Sequence, residues 1–308
     1  MLDKYNRLRQ GYQQIDHSYK QYWLNININI SYEDAYEYIE NEGIINEITY
    51  LSSFLEQFKV VTRDQIFRYF KLGGFNSCSI CLDTLVEYGF LNSFIIGLEG
   101  AIELSKDEVF YSIGVNTSLF MRKYLKLPVT RMLVKEISFN PQNLINRFDL
   151  TDFYLNYISS YGVDSIEKVC LKPLRVIGYD IIKIEAEFIV KENENYEHLI
   201  IINASRDTVD TLLIKTIAKL EKFIELDKSS TVYPGNGKNV ELIILCENQK
   251  ILEYVAKKLV ITSFAKESKL SLISIDYLLR VNLSEYNIAY SVDQEGNVIE
   301  KKFVQEVL

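Results

Sequence analysis

The stretch Ile202-Asn203-Ala204-Ser205-Arg206-Asp207-Thr208 follows an apolar run, Leu199 to Ile202, and leads into a helical pattern. In a metal-dependent nuclease core, such a strand end carries acids and often a lysine. Their hard anionic oxygens hold Mg²⁺ and neutralise the charge that develops on the phosphate. Asn203 and Ser205 stand where those acids would act, and they offer only a neutral carbonyl and a hydroxyl. Glu185 and Glu187, two apart in I-E-A-E-F, fall on one face if that run is a strand. Without a second pair of acids they make a poor metal site and read as an exposed strand face. Asp180 and Asp207 are the nearest acids able to compensate.

Other chemistry-bearing residues are scattered. Cys78 and Cys81 form a C-x-x-C, a spacing used for zinc or redox work, but Cys170, Cys246, His17 and His198 stand singly and supply no second ligand pair. On a helix, Cys78 and Cys81 share a face with Ile80 and Leu82, so buried small hydrophobes are expected. His198 opens a strand with no partner arranged as a triad and reads as structural. Gly235-Asn-Gly-Lys238 precedes a strand rather than a helix, so it is not a phosphate loop. No cofactor or metal is expected.

The 308-residue chain carries a net charge of -8, which is not the profile of a protein coated to hold nucleic acid. The distribution matters more than the sum. Arg122, Lys123, Lys126, Arg131 and Lys135 follow one another with no acid between Phe110 and Lys135, a basic stripe that is either a phosphate-binding surface or a solvated helix face. The N-terminus has no signal-like apolar segment, and no apolar run reaches the roughly 18–20 residues of a membrane span. A cytoplasmic protein with no membrane partner is expected.

The elements that must position these residues follow from periodicity. The first 25 residues read as an exposed helix or arm, and Asn25 to Ile30, N-I-N-I-N-I, as a short strand. Ser31 and Asp34 mark a helix start, Asn46 to Phe58 has helical spacing, and Thr62-Arg-Asp-Gln65 opens a further helix that stops at Gly73-Gly74. A third helix is expected from Asn76 or Ser77 to Gly89, then strands from Phe90 and from Glu108 around a Gly97–Gly100 turn. Helix, helix, helix, strand, turn, strand is the layout of a winged helix-turn-helix, whose third helix enters the major groove. Asn76, Ser77 and Ser79 would then read bases, while Arg63, Arg68, Lys71, Arg122, Lys123, Lys126 and Arg131 contact phosphates. Against this, the third helix has no Lys or Arg and carries Asp83 and Glu87.

A helix from Asn140 to about Tyr161 connects to a second half in which strands (181–190, 198–203, 240–246, 270–275) alternate with helices (207–226, 248–259), an α/β pattern with parallel strands, closed by a hairpin at Asp293 to Gly296. The domains expected are an N-terminal arm and helix (1–42), a winged helix-turn-helix (43–136), a helical connector (137–172) and an α/β domain (173–308).

From about Glu47 to Leu279 this arrangement resembles the replication-relaxation family of plasmids and integrative mobile elements, in which a winged helix precedes a restriction-endonuclease-like core. The resemblance places Glu185 at the family's strand Asp. Arg206 and Thr208 match an E-x-D-R-x-T-like motif, and Lys215 lies at the helix lysine. The motif's two acids are replaced by Asn203 and Ser205. The resemblance therefore implies a mixed α/β chain with an inactive nuclease-like domain. It would be a non-enzymatic DNA-binding accessory of plasmid replication, mobilisation or conjugation, with a protein partner and homodimer formation compatible. A protein-binding adaptor, an active metal-dependent nuclease and a transcriptional repressor are the alternative expectations.

Overall fold

The computed structural model describes residues 19–25, 29–76, 80–98, 109–127, 141–172, 175–177, 180–182, 184–192, 195–204, 213–227, 240–267, 269–278 and 289–301. The chain is mixed α/β and forms two compact units, Met1–Thr151 and Asp152–Leu308.

Unit 1 runs β1 (Tyr19–Asn25), α1 (Tyr32–Asn41), α2 (Ile45–Phe58), β2 (Val60–Thr62), α3 (Arg63–Leu72), α4 (Leu82–Glu87), β3 (Leu91–Leu98), β4 (Phe110–Ile113) and α5 (Val115–Lys123). Its starts are written in the sequence. Ser31 Oγ accepts from the Asp34 N–H, and at Thr62 the full capping box closes, Gln65 N–H to Thr62 Oγ1 and Thr62 N–H to Gln65 Oε1. The same Gln65 side chain donates to Phe148 O at 3.1 Å, so one residue caps α3 and ties it to the helix Pro141–Tyr161. The strands form one sheet in the order β1-β3-β4-β2, every pair antiparallel. Phe54, Phe58, Phe70, Phe94, Phe110 and Phe120 fill its core, each contributing about 1.5–3 kcal/mol by burial.

Three expectations for this unit are corrected. Residues 19–25 are a strand and not an exposed helix, because pairing with β3 satisfies their backbone groups. The strand expected over N-I-N-I-N-I does not reach its far end: Asn25 ends β1, Asn29 and Ile30 lie in a bend, and 26–28 fall outside the described residues. The third helix is shorter than expected. Cys81 is its N-cap with extended backbone, so α4 begins at Leu82, and buried Ile80 precedes it.

The split between units falls within α6 (Pro141–Tyr161). Unit 2 continues with β5 (Ile166–Leu171), the small hairpin β6 (Arg175–Ile177) and β7 (Asp180–Ile182), β8 (Ala186–Glu192), β9 (Asn195–Ala204), α7 (Ile214–Asp227), β10 (Val240–Cys246), α8 (Gln249–Leu259), α9 (Ser263–Lys266), β11 (Leu270–Ser274), α10 (Ile275–Leu278), β12 (Ala289–Val292) and β13 (Val298–Lys301). A seven-stranded sheet runs β13-β12-β11-β10-β9-β8-β5. β9, β10 and β11 are parallel, joined by crossovers that carry α7 and then α8; the outer pairs are antiparallel. Leu242 to Cys246 is buried on both faces, the continuous apolar run that a central parallel strand requires. On one face Ile200, Ile202, Leu242 and Ile244 pack with Leu213, just before α7, with Ile217 and Leu220 within it, and with Leu252, Val255 and Leu259 of α8. On the other, Phe188 meets the rings of Phe153 and Tyr154. Among the described residues no helix is long and apolar enough to cross a membrane.

Candidate functional site

The 181–190 run is not one strand. β7 belongs to the separate hairpin, and the chain breaks at Ile184 and Glu185 before β8 begins. Glu185 and Glu187 therefore do not share a regular strand face. The Glu185 N–H donates to Ile201 O at 2.9 Å, and its carbonyl accepts from Lys172 N–H at 2.8 Å. That places Glu185 beside the end of β9, two residues short of Asn203. The Glu247 N–H, just past β10, donates to Ala204 O at 3.0 Å and brings a further acid to the same strand end. Lys215 is exposed in the first turn of α7. Ser205, Arg206, Asp207 and Thr208 lie outside the described residues.

Glu187 overturns its expectation of exposure. It is 3% and His198 5% exposed, and Glu187 Oε1 lies 2.7 Å from His198 Nδ1. The antiparallel register sets Glu187 opposite Ile200 and Ile189 opposite His198, so the two side chains are diagonal neighbours on one face. A buried carboxylate needs such a partner. One of the two acids nominated by sequence is thus committed to a histidine. Mg²⁺ is held by one or two carboxylates together with waters and substrate phosphates, and Glu185 and Glu247 are the carboxylates that backbone pairing brings to this strand end, beside the neutral amide of Asn203. Among the described residues, no three His, Cys, Asp or Glu side chains gather so as to hold a metal ion.

Two features escaped the sequence reading. Glu247 is brought in by parallel pairing of β9 and β10, which residue spacing does not reveal. The polar set at Glu241 likewise depends on topology: Lys301 Nζ reaches Glu241 Oε1 at 2.7 Å, and the Ser271 hydroxyl donates to the same oxygen. Ser271 is fully buried, so the set is structural rather than a nucleophile and its base. Burial, followed by the Glu241 carboxylate, pushes the Tyr161 hydroxyl up to about 12.

In unit 1, Arg68 and Lys71 lie on the side of α3 opposite its buried Ile66, Tyr69 and Phe70, while half-buried Arg63 borders that buried face. Asp64 shares that side and sits 3.8 Å from Arg68, while the Arg63 guanidinium lies over the Phe67 ring at 5.4 Å. Arg122 and Lys123 occupy the last turn of α5 and Lys126 follows it, all three exposed. At that terminus they also complement the helix dipole. Lys123 Nζ is 3.2 Å from Glu33 Oε1 and 4.3 Å from the Tyr32 ring centroid. The backbone N–H of Glu33 and then Lys123 hold the Glu33 carboxyl below its usual range. Asn76 is exposed but precedes α4 and does not lie on it; Ser77, Ser79, Arg131 and Lys135 fall outside the described residues. The described turns of α4 present Asp83 and Glu87 and no cation.

The cysteines also depart from expectation. Cys81 is exposed, not buried, because it caps α4 instead of lying within it. The Thr84 hydroxyl, then the Thr84 backbone N–H, lower its thiol below the ordinary value. Cys246 is enclosed in the unit 2 core, where burial pushes its thiol up. Cys78 lies outside the described residues.

No family model matches the chain, and no curated protein matches it. Among solved structures it is similar to restriction endonuclease FokI bound to DNA, at 12% identity and a TM-score of 0.26, covering 76% of this chain. It is also similar to a second structure of restriction endonuclease FokI, at 14% identity and a TM-score of 0.23, covering 77%. The chain spans 43% of the length of each FokI chain. Likeness at this level carries no argument about chemistry.

Proposed function

We propose that this chain is a non-enzymatic DNA-binding accessory protein of a mobile element, of the replication-relaxation kind, serving plasmid replication, mobilisation or transfer. Unit 1 is a winged helix-turn-helix that holds duplex DNA by phosphate contacts. Unit 2 is a restriction-endonuclease-like scaffold without hydrolytic chemistry.

One observation carries the DNA-binding half: the succession α2-β2-α3-α4-β3-β4, with β4 paired between β3 and β2, alongside Arg68 and Lys71 on the outer side of α3. That order suits a winged helix. The scaffold half is supported by Asn203 at the end of β9 and by the engagement of Glu187 with His198. Incubation of supercoiled plasmid with Mg²⁺ or Mn²⁺ tests it. Intact plasmid is the expected result; cleavage that disappears in Glu185→Ala would make the chain a nuclease.

A second reading, a protein-docking adaptor, is favoured by Asp83 and Glu87 on α4, where phosphate would be repelled. It predicts capture of a protein partner by wild type and its loss in Asp83→Lys/Glu87→Lys.

A further inference from the structure

Lys123 of the basic stripe is held by a carboxylate from another helix, and that contact bears on the duplex reading, on which this inference rests. We propose that α1 gates the basic turn of α5: Glu33 occupies Lys123, and a DNA phosphate must displace Glu33 to engage it.

The gate is built into the fold. Ala35 and Ile39 of α1 are buried, and the Tyr36 ring packs against Phe120 and Tyr124 at centroid distances of 6.5 and 5.8 Å. These contacts fix α1 on α5 and keep Glu33 at the lysine. The Tyr32 ring backs the same ammonium and holds it on the α1 side. The surroundings reinforce the effect, since residues 25–58 contain seven Asp and Glu and no Lys or Arg. A phosphate approaching Lys123 meets that field as well as the ion pair.

The strength of the gate is graded. Lys123 and Glu33 are both largely exposed, and exposed pairs are weak. A phosphate, which accepts a charge-assisted hydrogen bond, competes with such a carboxylate on nearly equal terms. Binding by the stripe is therefore held low, with a shallower salt dependence than an unoccupied Lys123 would give, without being abolished.

Duplex binding by fluorescence anisotropy, measured from about 50 to 200 mM salt on wild type, Glu33→Gln and Glu40→Gln, tests the gate. The two variants lose the same charge, but Glu40 lies two turns along α1 from Glu33. One additional phosphate contact steepens the salt dependence by about 0.9, so the affinity gain at about 50 mM exceeds that at about 200 mM by about three-fold. Glu33→Gln is expected to show that gain, Glu40→Gln a smaller one, and Glu33→Gln/Lys123→Ala none. Equal gains in both single variants would mean that net charge alone acts, and would overturn the gate. Binding by wild type that Glu33→Gln leaves unchanged would overturn it too, with the duplex reading intact. Binding by none of the proteins would remove the duplex reading and the gate together.

Discussion

Gly114→Ala is expected to destabilise unit 1 by about 3 kcal/mol, although its backbone angles suit any residue. The reason is space. A Cβ at Gly114 would lie 2.6 Å from Phe90 O, 2.5 Å from the Phe90 carbonyl carbon and closer still to Gly89 O. These are backbone atoms that cannot swing away. They are also pinned from the α5 side: Gly114 N–H and the Thr117 hydroxyl donate to Phe90 O, Asn116 N–H donates to Gly89 O, and Asn116 Nδ2 donates to Tyr88 O. Overpacking costs about 1–3 kcal/mol, and the shift that relieves it weakens several hydrogen bonds worth about 1 kcal/mol each. Urea unfolding followed by hydrogen exchange of the β3, β4 and α5 amides measures the loss in unit 1. A midpoint shift equivalent to less than about 1 kcal/mol, the lower end of the overpacking range, would show that this close approach is no constraint.

The buried pair in unit 2 gives the second large effect. Glu187→Met and His198→Leu are each expected to cost about 3 kcal/mol, because each removes one side of a buried 2.7 Å polar contact. The double replacement is expected to cost far less than the sum, since it removes both desolvated groups and adds apolar volume against β8 and β9. Hydrogen exchange of the β8 and β9 amides would follow the loss locally. Additive costs would mean that the two groups do not depend on one another, and the structural role assigned to Glu187 would fail. Cleavage or metal chemistry plays no part in this expectation, which separates it from the nuclease alternative.

Local signals are legible in the sequence, and long-range pairing is not. Ser31, Thr62 and Asn248 cap helices where their side chains predict, each accepting from an N–H three residues on. The apolar run at Leu242 to Cys246 announces a buried strand. By contrast, β1 is a strand only because β3 offers it an edge, and its Tyr and Lys content disguises that. I-E-A-E-F resembles a strand face because alternation alone cannot show the break at Ile184 and Glu185, nor that His198 lies across the register from Glu187. C-S-I-C resembles a helical turn because Cys81 carries no conventional capping signature. The acid at Glu247 becomes a neighbour of Asn203's strand end through the parallel pairing of β9 and β10. Except at Cys81, the missing information is which strand lies beside which.

The measurement that bears most directly on the central claim is the salt dependence of duplex binding by the full chain, compared with a variant carrying Arg63→Glu, Lys71→Glu and Arg122→Glu. Phosphate contacts by α3 and α5 predict linear loss of log affinity with log salt for wild type, and a weaker, flatter line for the variant. Wild type that fails to bind duplex at low salt, or a variant with an unchanged slope, would contradict the account and leave unit 1 as a surface for a protein partner.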